Sequence, residues 1–335
     1  EEPYGTHLLT DGSAIQRTSP YAPPAEYAGL LNRVQRLAAQ RRVPIPLHIS
    51  SDQEGDYSQD VARGGVNLFP SQMGMTATGD DELIYQAYRA VARQQRDFGV
   101  RMLHTPCLDV NVEPANPEIC TRAFSDDPAI VARVGTQMFR GLRDENVIAT
   151  GKHFPGRGNS KVDLHYHADV FPGDRKEMDE VHLAPYRTLI AEGIPAVMTA
   201  HTIYPCLDPD EWPASVSRRI TTGLLREEMG FEGVITTDAI GMKGVMERFS
   251  CYGEAAATAI AAGADLVLAK CDASKRDEVY DWIMKFVEEG RIPADELDMH
   301  VRRVLRLKYD YGLFEQAEVD PAGAQRSVRD EKNVE

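Results

Sequence analysis

Short apolar runs and apolar stripes at helical spacing follow one another along this chain. After a proline-rich stretch (Pro20, Pro23, Pro24), Tyr27, Leu30, Leu31, Val34 and Leu37 recur at the helical period. Residues 45–49 read as a strand that runs into the polar cluster 50–55, and residues 6–11 are short enough to be another. Leu83, Ile84, Ala87 and Val91 mark a helix over 81–95, followed by a strand over 100–104. The alternation continues: helix near 128–142, strand 147–150, helix near 177–192, strand 196–199, helix 221–229, strand 234–236, helix 254–262, strand 265–269, helices near 275–289 and 295–309. Pro128 suits a first helical turn, where a missing N–H costs nothing. Gly193, Gly230 and Gly263 stand where helices should stop.

Strands alternating with helices predict a parallel sheet covered on both faces, and the mostly continuous apolar strands agree. The expected fold is α/β, a (β/α)8 TIM-type barrel, with room for one strand that is missing or irregular. The expected organisation is a barrel domain over 1–315 and a polar C-terminal tail or linker over 316–335. No glycine-rich phosphate fingerprint follows the first strand, so a dinucleotide fold lacks its main support. Asp52, His104, Lys152, His153, His201 and Asp238 all fall at or just past strand C-termini, the rim on which such barrels build their sites.

Composition narrows the partners. A net charge of −15 argues against a broad nucleic-acid surface and against docking on an anionic membrane. No apolar run approaches the roughly 18 residues of a membrane helix. The five cysteines are scattered and form no CxxC pair, which suits a reducing compartment and a cytoplasmic location better than a disulfide scaffold. The chain begins with Glu1, not Met, and shows no signal peptide.

Four segments carry candidate chemistry. In the run 152–167, a strand ends at Lys152-His153, and a loop holding Gly156 and Gly158 then brings Asp163 and His165 two residues apart. A carboxylate bonded to one imidazole nitrogen fixes the tautomer and frees the other nitrogen for proton transfer, although Asp-x-His also occurs in ordinary surface loops. Asp238 directly follows a buried strand. It suits a nucleophile, a base or a metal ligand, and equally an N-cap for the next helix. Asp52, Glu54 and Asp56 could hold hydroxyls or a hard cation, or form a solvated loop. Arg122 sits in a long strand-to-helix loop as a substrate clamp or as a salt-bridge partner of Asp126 or Asp127.

Taken in order, Asp52-Gln-Glu-Gly, Pro106-Cys-Leu-Asp-Val-Asn111, Arg122-Ala-Phe-Ser-Asp-Asp-Pro128, Gly151-Lys-His-Phe-Pro-Gly with Asp163-x-His165, Ala200-His-Thr-Ile-Tyr-Pro205 and Thr237-Asp238-Ala-Ile-Gly-Met242 resemble the β-N-acetylhexosaminidases of glycoside hydrolase family three. The resemblance spans nearly the whole chain. It implies Asp238 as nucleophile, His165 as acid/base with Asp163 orienting it, and Lys152 and His153 on sugar hydroxyls. Asp52 and Arg122 match substrate-binding positions, and His201 and Met242, inside two matched motifs, are grouped with them.

The implied activity is a retaining exo-β-N-acetylglucosaminidase on small chitin- or peptidoglycan-derived sugars, working through a covalent glycosyl-aspartate. A histidine donor lacks the fixed negative charge of a second carboxylate, which leaves phosphorolysis open beside hydrolysis. No cofactor or metal is expected, and the expected partner is a small carbohydrate; the oligomeric state is left open. Two departures bear on sugar specificity: Arg157 and Asn159 replace the His and Asp of the family's loop, and Asp56-Tyr57 replace Gly-Arg, with Arg63 as a compensating candidate. Three alternatives stand beside this reading: a metal-dependent barrel hydrolase built on His165-Tyr166-His167, another β-glycosidase, and a non-catalytic sugar-binding member of the same family.

Overall fold

A computed structural model describes residues 22–55, 58–59, 69–164, 167–270 and 273–328. Residues 6–11, Asp56, Tyr57, Arg63 and His165 lie outside the described residues. In chain order the main elements are α1 (Pro24–Ala39), β1 (Ser50–Ser51), α2 (Asp81–Phe98), β2 (Met102–Leu103), α3 (Pro128–Asp144), β3 (Ile148–Phe154), α4 (Ala184–Ala191), β4 (Ala196–Thr199), the wide-turned helix α5 (Arg219–Glu228), β5 (Val234–Thr237), α6 (Tyr252–Ala262), α7 (Ala273–Glu288), α8 (Ala294–Asp310) and α9 (Pro321–Ser327). The α/β alternation is that of the sequence reading.

The chain forms two compact units. One comprises Glu1–Pro106, Thr136–Thr150 and Arg306–Glu335, the other Cys107–Gly135 and Gly151–Leu305. In the first, β1, β2 and the start of β3 pair in parallel, Ser50 with Met102 and Met102 with Ile148. Helix α2 shows why its residues form a helix. The Asp80 side chain caps the Leu83 N–H at 3.0 Å, Asp81 and Glu82 complement the positive end, and Gly99 closes it with φ 97°. Its buried stripe is Ile84, Tyr88, Val91 and Gln95, and Leu83, expected on that stripe, is 51% exposed. The expected strand at 45–49 pairs only from Ser50. Pro46 has no N–H to give, and the Gln35 side chain takes both main-chain groups of Leu47. Residues 321–327, within the stretch expected as a tail or linker, form helix α9. Just before it, Asn32 bonds both main-chain groups of Val319.

In the second unit, β4 and β5 pair in parallel over their whole length, from Ala196 with Val234 to Thr199 with Thr237. The Ala200 N–H donates to the carbonyl of Phe154 at the end of β3. The expected strand over 265–269 is reduced to a single bridge from Thr236 to Leu266. Side chains explain this: the Asp265 carboxylate accepts the Ile235 N–H at 2.8 Å, and the Thr237 hydroxyl accepts the Leu268 N–H at 3.1 Å, both in place of ladder carbonyls.

Asp265 also receives His300 at 2.7 Å, Arg303 at 3.0 Å and Arg226 at 2.6 Å, and its side chain is fully buried. Removing one partner of a buried charge cluster strands the others, at roughly 3–5 kcal/mol. Asp265→Ala should therefore lower stability by about that amount in denaturant unfolding. A loss near the 0–1 kcal/mol of surface pairs would show that the cluster is dispensable.

Candidate functional site

The second unit gathers most of the expected site residues at the ends of its strands. Strand β3, buried along its length, delivers Lys152 and His153. Strand β5 delivers Asp238, whose main-chain N–H donates to the Thr199 carbonyl at the end of β4. The 3₁₀ turn Cys120–Arg122 delivers Arg122. Asp52 lies in the first unit, where its carboxylate is 3.6 Å from His104 Nδ1.

His153 is held at both ring nitrogens. Nδ1 is 2.7 Å from Asp109 Oδ2, and Nε2 is 3.1 Å from an Arg122 guanidinium nitrogen. A guanidinium only donates, so that contact puts the lone pair on Nε2 and the proton on Nδ1, pointing at the carboxylate. The Asp238 Oδ2 atom lies 3.9 Å from the same Nε2. Arg122 thus meets His153 and, at 3.8 Å, Glu118, in place of the Asp126 or Asp127 pairing weighed from sequence. Asp127 instead caps the Ala129 N–H.

The two buried carboxylates stay ionised for different reasons. Burial pushes Asp109 up, but His153 and the Arg157 N–H outweigh it and hold the carboxyl well below the usual range. Burial likewise pushes Asp238 up, and His153, His201, the Ala239 N–H at 2.6 Å and Lys152 together hold it low. The Asp238 side chain is 17% exposed whereas that of Asp109 is fully buried, so Asp238 is the one a ligand can reach. Asp238 does not cap a helix: the next begins at Lys243 with Met242 at its N-cap position.

His201 and Met242 occupy supporting places. The His201 Nε2 faces the Ala239 carbonyl at 3.0 Å, so it carries the proton, and Nδ1 accepts from the Ser215 hydroxyl at 2.7 Å. With both nitrogens used and no exposed surface, His201 props the Asp238 loop from beneath. Met242 packs with Leu164 and Ala239 in a small apolar cluster. Asp163 is half-buried and its carbonyl accepts the His167 N–H at 3.1 Å.

Three residues of the arrangement were absent from the expected site. Asp109 stands inside the matched motif 106–111 and opens the candidate segment 109–113, although no role is assigned to it from sequence. Glu118 and Ser215 carry no local signal. Among the described residues Cys107, Asp109 and His153 are the group able to offer metal ligands, all fully or nearly fully buried. Their atoms already satisfy one another, the Cys107 thiol donating to Asp109 Oδ2 at 3.2 Å beside His153. No helix among the described residues is long and apolar enough to cross a membrane.

The chain is 29% identical over 317 residues to Beta-hexosaminidase A of Pseudoalteromonas piscicida, covering 89% of this chain and 53% of that protein. It is 30% identical over 330 residues to the Beta-N-acetylglucosaminidase/beta-glucosidase of Cellulomonas fimi, covering 96% and 56%. The structure of a glycoside hydrolase family 3 β-N-acetylglucosaminidase from Paenibacillus sp. str. FPU-7 superposes with a TM-score of 0.84 at 36% identity, covering 91% of this chain and 60% of that one. The chain thus spans little more than half the length of these curated relatives. Residues 9–307 match the glycosyl hydrolase family 3 N terminal domain. A match over that much of its length, on a parallel α/β scaffold with Asp238 and Lys152-His153 at strand ends, makes this chain a member of glycosyl hydrolase family 3.

Proposed function

We propose that this domain carries the chemistry of a retaining β-N-acetylglucosaminidase that removes terminal N-acetylglucosamine from small chitin- or peptidoglycan-derived sugars. The observation that carries it is Asp238: an ionised carboxylate at the end of β5, open on one side, with His153, Arg122 and Lys152 around it. On this reading the parallel strands belong to an irregular (β/α)8 barrel with these residues on its rim.

In the first step Asp238 attacks the anomeric carbon as the bond to the leaving oxygen breaks. His165, oriented by Asp163, gives that oxygen its proton. In the second step the same histidine takes a proton from water, the water oxygen bonds the anomeric carbon, and Asp238 leaves as a carboxylate. His153 presents to sugar hydroxyls a geometry fixed by Asp109, while Arg122 and Lys152 supply donors. The name of the Cellulomonas fimi relative joins N-acetylglucosaminidase and glucosidase activities. Phosphate as a second acceptor follows from the uncharged neutral form of the histidine.

Asp238→Ala should lower turnover of an aryl N-acetylglucosaminide by about a thousandfold or more. A variant within tenfold of wild type removes the nucleophile assignment. A panel of aryl N-acetylglucosaminide, glucoside and xyloside, each with and without phosphate, should show the first cleaved best. Appearance of a sugar 1-phosphate reports phosphorolysis.

The low position of Asp109 has a sign. Its folded form binds fewer protons than the unfolded chain in acid, so its contribution is present above the ordinary aspartate value of about 4 and is lost as pH falls below it. Melting temperature should therefore drop on acidification through that region, and more gently in Asp109→Asn. Parallel acid limbs in the two proteins would count against Asp109 as an ionised group.

A further inference from the structure

Arg157, which stands where the family's loop has His, is the largest fully buried side chain among the described residues. Its guanidinium lies 2.7 Å from Glu118 Oε2 and donates to the Val162 carbonyl at 3.2 Å. The same Glu118 oxygen accepts the Leu164 N–H at 3.0 Å, and the other lies 3.8 Å from Arg122. One carboxylate therefore meets the substrate-side arginine, the loop arginine and the main chain beside Asp163. Leu164 is fixed on its other sides too: its carbonyl accepts the Gly244 N–H at 3.4 Å, and its side chain packs on Ala239 and Met242, next to Asp238.

The rest of the loop is bolted to the segment before Glu118. The Arg157 N–H donates to Asp109 Oδ1 at 2.8 Å, and its carbonyl accepts from Asn116 at 3.0 Å. The Glu113 N–H donates to the Gly158 carbonyl. A Cβ on Gly158 would fall 1.7 Å from the Val110 carbonyl oxygen, so this glycine serves close approach of two backbones.

We propose that the Glu118–Arg157 ion pair is the positioning element of the acid/base segment: it fixes Asp163-Leu164 against the Asp238 loop and ties that placement to Arg122. The inference rests on the function proposed above. Neither residue is a proton donor; both act through the geometry of Asp163 and its neighbour. Glycosides with poor leaving groups need the proton most and should feel the loss of placement most, whereas activated aryl glycosides leave almost unaided. A lysine at 157 keeps the charge toward Glu118 but cannot also bond the Val162 carbonyl.

The test compares kcat/KM for a dinitrophenyl N-acetylglucosaminide and for chitobiose in wild type, Arg157→Gln and Arg157→Lys, with amide hydrogen exchange at Leu164. The expected result is a ratio between the substrates widened by about tenfold or more in Arg157→Gln and by a smaller factor in Arg157→Lys. Exchange at Leu164 should quicken in both. If Arg157→Gln does not fold, Arg157→Lys alone decides. Equal losses on both substrates, or an unchanged ratio, would overturn the proposal, since a merely structural role lowers both alike. If the wild-type protein cleaves neither substrate, the functional reading fails, and the exchange data decide placement separately: unchanged protection of Leu164 would then refute it.

Discussion

A carboxylate sealed from water must find its donors inside the protein, and Asp109 finds four. His153 Nδ1, the His153 and Arg157 main-chain N–H groups and the Cys107 thiol all converge on its two oxygens. Each bond serves to keep a buried charge that would otherwise cost several kcal/mol. In doing so each fixes something else. The imidazole is set in one tautomer, which in turn gives Arg122 an acceptor. The start of the loop after β3 is set through Arg157. Placement of His153 and Arg122 is thus inherited from a carboxylate with no exposed surface.

Much of this could be read from the chain, because hydrophobic period and strand-end polarity are local. Lys152, His153 and Asp238 follow directly on apolar runs, and their places at the ends of β3 and β5 follow from that. What could not be read is where side chains replace main chain. Gln35 takes the partners that would have made residues 45–49 a strand, and Asp265 takes one that would have extended pairing near 265–269. Periodicity does not register such substitutions. The inner layer of the site was hidden for a related reason. Glu118, Ser215 and the Asp109–Arg157 contact join residues 14 to 48 positions apart, and only folding brings them together.

The loop after β3 shows how misleading composition can be on its own. Two glycines within three residues suggest freedom of movement. Gly156 does occupy φ 121°, which a larger residue rarely adopts, with His182 against it. Gly158, by contrast, is there because a carbonyl oxygen occupies the space of a side chain. Together with a buried arginine, these residues make a loop that is tightly held where described.

His201 has a quieter consequence. Burial lowers its affinity for a proton, and both its nitrogens are committed, one to a carbonyl and one to a hydroxyl. With its proton on Nε2 and its lone pair on Nδ1, it presents a fixed dipole beneath Asp238. The Asp238 carboxylate thus faces a dipole whose direction is set by the Ser215 hydroxyl and the Ala239 carbonyl.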